Sequence, residues 1–128
     1  MNQNILKPNI KESYKFVNKY HKLKSDKKIL IIIGNCMVNY HGRAKSFLDW
    51  GQRIIIIKQD KTILIHRPEM REPVNWQPSG STIIFSIFNN MLILTSYNNK
   101  AKERMKIIFR EIEIIISSSI KDKAKLII

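Results

Sequence analysis

Cysteine is nearly absent. The single Cys36 excludes an internal disulfide and leaves no cysteine spacing for a metal. Acidic residues are scarce as well: 10 Asp+Glu face 23 Lys+Arg, a formal net charge of +13, with an isoelectric point near 10.0. Such a surplus suits a nucleic-acid binder. Lysine, isoleucine and asparagine together fill 53 of the 128 positions, however. A/T-rich coding produces that bias unaided, so the charge permits a polyanionic partner without establishing one. Long apolar runs are missing too. The longest aliphatic stretches, 29–33 and 54–57, fall far short of a bilayer span. Residues 1–11 are polar and basic with no apolar centre, unlike a secretory signal. These lacks predict a soluble, cytoplasmic chain. No repeat or linker divides it, and 1–128 reads as one domain able to bury a core.

What is present falls into one helix and a series of strands. Ile10, Tyr14, Val17 and His21 (or Tyr20) recur at helical spacing over residues 9–24, with Asn9 as the cap after Pro8. Lysines 11, 15, 19 and 22 fall largely on the opposite, solvated face. From residue 28 the pattern turns to β-branched runs at 29–33 and 52–58. Asp60-Lys61 then turns the chain back into 62–66. A second hairpin joins 82–88 to 91–96 through Asn89-Asn90, a pair that tolerates positive φ. Ile112-Glu113-Ile114 alternates inside the apolar run 105–118, which predicts a strand, with a helix as the alternative. The fold class is therefore mainly β: a small barrel or sandwich with one N-terminal α-helix.

The chemistry concentrates in two places. Residues 71–80, Arg-Glu-Pro-Val-Asn-Trp-Gln-Pro-Ser-Gly, set a Trp, an Asn and a Gln between prolines beside an arginine. The prolines stiffen the segment and keep it out of a sheet interior. A flat ring beside an amide and a guanidinium suits a nucleobase: the ring stacks, the amide reads an edge, the arginine holds phosphate. The plain alternative is a Trp that plugs the end of a barrel. The second place is 36–51, where Val38 and Tyr40 share a strand face and Gly42-Arg43 ends the strand. Tyr40 and Arg43 form a second aromatic–guanidinium pair. The two pairs meet on one base only if the fold brings them together.

Cys36, Val38, Tyr40, Gly42-Arg43-Ala44, Ser46, Leu48, Gly51, Arg53, Lys58, Asp60, His66 and Pro73-Val74-Asn75-Trp76-Gln77-Pro78 with Gly80 resemble the N-terminal domain of the NucS/EndoMS endonucleases. Those enzymes cut mismatched or branched DNA. The resemblance runs from about Asn9 to the end of the chain. It implies a half-open, PH-like β-barrel that dimerises and binds single-stranded or flipped-out DNA. It further implies that Tyr40 and Trp76 sandwich an extruded base, that Asn75 meets its edge, and that Arg43 and Arg71 hold the backbone, all in one concave site. Lys61 departs from the family where glycine is usual, and Ser79 replaces the second proline of a Pro-Pro-Gly. The family's RecB-like nuclease domain would begin where this sequence stops, at Ile128.

A RecB-like site needs carboxylates on a divalent metal and a nearby lysine. The one Asp/Glu-x-Lys triplet, Asp26-Lys27-Lys28 with Glu12 upstream, sits in the wrong setting, and His21, His41 and His66 show no ligand spacing. The expectation is a DNA-binding, dimerising module of DNA repair with no catalysis or cofactor of its own. Any divalent metal would belong to a separate RecB-like nuclease polypeptide. A protein–protein adaptor and an RNA-binding module stand as the alternatives.

Overall fold

The computed structural model describes residues 2–20 and 27–128. Along the chain run β1 (Gln3–Leu6), α1 (Ile10–Tyr20), β2 (Ile29–His41), β3 (Lys45–Ile57), β4 (Ile63–His66), β5 (Asn75–Gln77), β6 (Thr82–Phe88), β7 (Met91–Asn98) and β8 (Glu103–Ser118). The strands form one antiparallel sheet in the order β5-β4-β3-β2-β8-β7-β6, with β1 added to β8. Its ends, β5 and β6, do not pair with each other, so the sheet curls without closing. The mainly β, half-open architecture with one helix agrees with the sequence.

Each element follows from local chemistry. Asn9 and Glu12 cap α1 reciprocally: Glu12 N–H donates to Asn9 Oδ1 at 2.8 Å, and Asn9 N–H to Glu12 Oε1 at 2.9 Å. The helix buries Ile10, Ser13, Phe16 and Val17 against the same core that Leu30, Ile32, Ile55, Ile65, Leu94 and Phe109 fill. Residues 21–24 of the expected helix, with His21, lie outside the described residues, as does Asp26. Asn89 and Asn90 have φ of 51° and 53°, as a two-residue hairpin turn requires. Lys61 has φ of 71°, a conformation that disfavours a residue other than glycine by roughly 1–2 kcal/mol.

The run 105–118 is a strand, and β8 is the spine of the sheet. It pairs with β2 along its length, with β7 at one end and β1 at the other. Ile107, Phe109, Ile112 and Ile115 are buried, while Ile108, Ile114 and Ile116 lie half-buried on the outer face. Two register shifts, at Ile33/Gly34 and Asn35/Cys36, bulge β8 against β2 and bend the sheet toward a barrel. Gly34 permits the first: a Cβ there would stand 2.5 Å from the Glu111 carbonyl oxygen. Gly34→Ala is expected to lower stability by about 1–3 kcal/mol, read as a fall in the urea midpoint at unchanged slope.

Three details differ from the sequence reading. Strand β1 was not foreseen; four residues with half-buried alternation carry too little pattern. β2 is one continuous 13-residue strand across Gly34, and β3 begins at Lys45 rather than near residue 52. Both lengths arise because residues 45–48 find partners on β2 at 38–41, a pairing that no local signal announces.

Candidate nucleic-acid interface

The open side of the barrel is held in shape by side chains instead of a ladder. β5 pairs only with β4, as expected of a three-residue strand between prolines. Gln77 turns inward, fully buried, where its amide oxygen accepts from the Ser96 hydroxyl. Asn98 fastens the next segment: its Nδ2 donates to the Ser79 carbonyl at 3.0 Å and the Ser81 hydroxyl at 3.1 Å, while its Oδ1 accepts from Ala101 N–H at 2.9 Å. Gly80, at φ 82°, donates its N–H to the Asp60 carbonyl at 3.0 Å. The prolines supply stiffness, and these bonds supply position.

The platform so held forms one wall of a cleft of about 630 Å³. Tyr40, Arg43, Asn75 and Trp76 line it together, joined by Lys100 from the turn after β7 and Glu103 at the start of β8. Residues from 36–51 and 71–80 thus converge. Trp76 is 56 % exposed, so it does not plug a barrel. Asn75 Oδ1 accepts from the Trp76 backbone N–H at 2.8 Å, which fixes the amide and leaves its NH2 to offer donors.

Arg71 is the exception. Its side chain is 92 % exposed and pairs with Glu72, Nε to Oε1 at 2.7 Å. It lines a neighbouring hollow with Glu72 and Pro73 rather than the cleft, the two hollows meeting at Val74. The structure thus brings four of the five expected residues into one cleft and sets Arg71 in the hollow beside it, a correction to the single five-residue site.

Tyr40 carries the clearest electrostatic signature. Its hydroxyl donates to Glu103 Oε2 at 2.8 Å. Partial burial, and then the bond to Glu103 and its charge, hold the phenol above its ordinary value, while Arg43 pulls the other way. The ring therefore stays neutral at physiological pH and adds no repulsion toward a phosphate. Gly42 makes this packing possible, since a Cβ there would stand 2.4 Å from the Tyr40 hydroxyl. Glu103→Gln is expected to bring the Tyr40 titration back toward that of free tyrosine, followed by ultraviolet absorbance with Tyr40→Phe identifying the signal. With the folded pKa above the unfolded one, the contact stabilises below about pH 10. That contribution fades as pH rises through the folded value.

Sequence reasoning missed Lys100 and Glu103, which line the cleft from the turn after β7 and the start of β8, and Asn98, which fastens the platform behind it; none carries a motif or periodicity. It also passed over Trp50, whose ring lies under the Arg110 guanidinium at 4.6 Å. His66 ends β4 opposite Ile54, away from the cleft. Cys36 is buried, and burial pushes its thiol up. Among the described residues no group of three or more His, Cys, Asp or Glu is placed to hold a metal. No described helix is long and apolar enough to cross a membrane.

Known proteins resemble this chain closely. The family described as the endonuclease NucS N-terminal PH-like domain matches residues 26–125. Endonuclease NucS of Methanocaldococcus jannaschii is 47% identical over 105 residues, 82% of this chain and 38% of that protein. Its namesake from Sulfolobus acidocaldarius is 38% identical, covering 91% of this chain and 45% of that protein. Among solved structures, one described as an EndoMS-dsDNA2 complex superposes with a TM-score of 0.90 at 34% identity, over 99% of this chain and 52% of that one. A repair endonuclease from Pyrococcus abyssi gives a TM-score of 0.78 at 30% identity, over 98% and 53%. The chain spans less than half the length of those two curated relatives and about half of the solved chains.

Proposed function

This chain belongs to the endonuclease NucS N-terminal PH-like domain family, and from that premise we propose that it binds single-stranded or mismatched DNA by stacking an extruded base in the cleft. One observation carries the reading: two aromatic side chains, an amide and a guanidinium from distant segments line a single concavity. Tyr40 and Trp76 supply the stacking faces, Asn75 meets the base edge, and Arg43 holds the backbone. Arg71, one hollow away, serves the flanking phosphates. The likeness to EndoMS in complex with dsDNA supports DNA as the ligand.

The energetics favour weakened pairs. Extruding a base costs a few kcal/mol, least at a mismatch, and stacking returns roughly 1–3 kcal/mol per base. The terms nearly cancel, so matched duplex gains little while a mismatched or single strand gains the difference. A role in DNA repair follows, in the cytoplasm, as a homodimer. A RecB-like nuclease carrying the divalent metal would make the cut, and this domain would supply the recognition.

The test is equilibrium binding of a mismatched duplex, the matched duplex and the single strand at several salt concentrations, with RNA as competitor. The expected order places single-stranded and mismatched DNA above matched duplex, with affinity falling steeply with salt and no cleavage in magnesium or manganese. Equal affinity for matched duplex would remove base extrusion. Stronger competition by RNA would move the reading to RNA.

A further inference from the structure

The face of the sheet opposite the cleft carries its own cations. Strand alternation sends Tyr40 toward the cleft and Asn39 and His41 the other way. Cross-strand pairing then builds two adjacent rows over β2, β8 and β7: Asn39–Lys106–Thr95 and His41–Arg104–Tyr97. β3 extends them with Phe47 opposite Asn39 and Lys45 opposite His41. Asn39, His41, Thr95, Arg104 and Lys106 line a hollow of about 370 Å³. Among the described residues the one salt bridge is Arg71–Glu72, so no carboxylate neutralises this group.

We propose that this hollow is a second nucleic-acid contact, which holds the phosphodiester backbone of a strand outside the cleft. Arg104 and Lys106 lie two residues apart on one strand face, about 6.8 Å, on the scale of successive phosphates along a nucleic-acid strand. Lys45 widens the positive surface across the strands, and His41 adds a ring N–H donor beside it. Phe47 and Tyr97, 58 % and 47 % exposed, flank it with rings. Cations interleaved with exposed rings form the pattern that tracks single strands. The cleft reads a base, and this face grips the backbone that leads to or from it. The inference rests on the chain being a DNA binder but not on stacking at Trp76.

The test measures the salt dependence of binding to a single strand and to a mismatched duplex for Arg104→Gln/Lys106→Gln. The control, Lys11→Gln/Lys15→Gln, removes the same charge from exposed positions on α1. Loss of two phosphate contacts should lower the slope of log affinity against log salt by about 1.4 on the single strand and 1.8 on the duplex. The control should keep the wild-type slope. An unchanged slope, or an equal fall in both variants, overturns the proposal. If the double variant does not fold, the single variants Arg104→Gln and Lys106→Gln take its place, each expected to lower the slope by about 0.7 on the single strand and about 0.9 on the duplex. Trp76→Ala, run alongside, separates the two sites. If it binds as wild type while the Arg104/Lys106 slope falls, the cleft reading fails and this one stands.

Discussion

Trp76→Ala is expected to weaken binding of single-stranded or mismatched DNA by roughly 1–3 kcal/mol, a factor of about 5 to 150, while the salt slope stays at the wild-type value. Trp76 is half exposed on a three-residue edge strand, so its removal opens no core cavity and the fold survives. What is lost is a flat apolar face against a base. Stacking releases no counterions, so the slope does not move. Arg43→Ala should act in the opposite way. On the proposed reading its guanidinium holds a phosphate, so its loss should reduce the slope by about one unit at smaller cost near physiological salt. The contrast separates the roles of two residues that line the same cleft. Equal slopes for the two variants would show the roles to be misassigned.

The neighbours of Trp76 sharpen this result. Asn98 and Gln77 never reach the ligand, yet they fasten the segment on which Trp76 rides. A Trp76 variant removes the ring and keeps the platform. An Asn98 variant keeps the ring and frees the platform, so the two should differ in protease sensitivity around 78–81.

Much of the fold was legible because the residues that shape it act locally. Asn9 and Glu12 cap a helix within one turn, and Asn89-Asn90 adopts positive φ without outside help. The alternation around Ile112 identified β8 as a strand even though a helix also fitted. The four cleft residues were legible for another reason: aromatic and guanidinium groups are sparse in this sequence and stand out, and Asn75 is marked by its place beside Trp76 between two prolines. What stayed hidden depends on distant contact. β1 exists because β8 offers an edge at residues 114–117. Gln77 looked like part of the reading platform, but Ser96 draws it inward. Arg71 looked like part of the cleft, but it stands in the bend before β5 and lines the neighbouring hollow. Glu103 enters because antiparallel pairing sets the start of β8 beside the end of β2.

The second large effect concerns assembly. Ile54→Glu is expected to convert a dimer to a monomer in sedimentation at micromolar concentration, with the circular dichroism spectrum unchanged. The outer face of the sheet, which α1 does not share, carries Ile31, Ile33, Ile54, Ile56, Ile114 and Ile116 in cross-strand register, each half-buried. Left uncovered, such a face is an aggregation hazard. A two-fold copy is the simplest cover, because the same rows meet themselves and no second surface is needed. Glutamate at position 54 would then be buried beside its own mate, and the cost of burying two carboxylates together outweighs the contact each makes with His66 on β4. In the monomer the same side chain meets water, so folding should tolerate it. The interface is expected to stop at the row Met37–Ile108–Ile93, since beyond it Lys106, Arg104 and Lys45 would face like charges across the axis. Lys106→Glu should therefore leave the dimer intact. A wild-type chain that sediments as a monomer, or a Lys106→Glu variant that dissociates as readily as Ile54→Glu, would place the interface elsewhere.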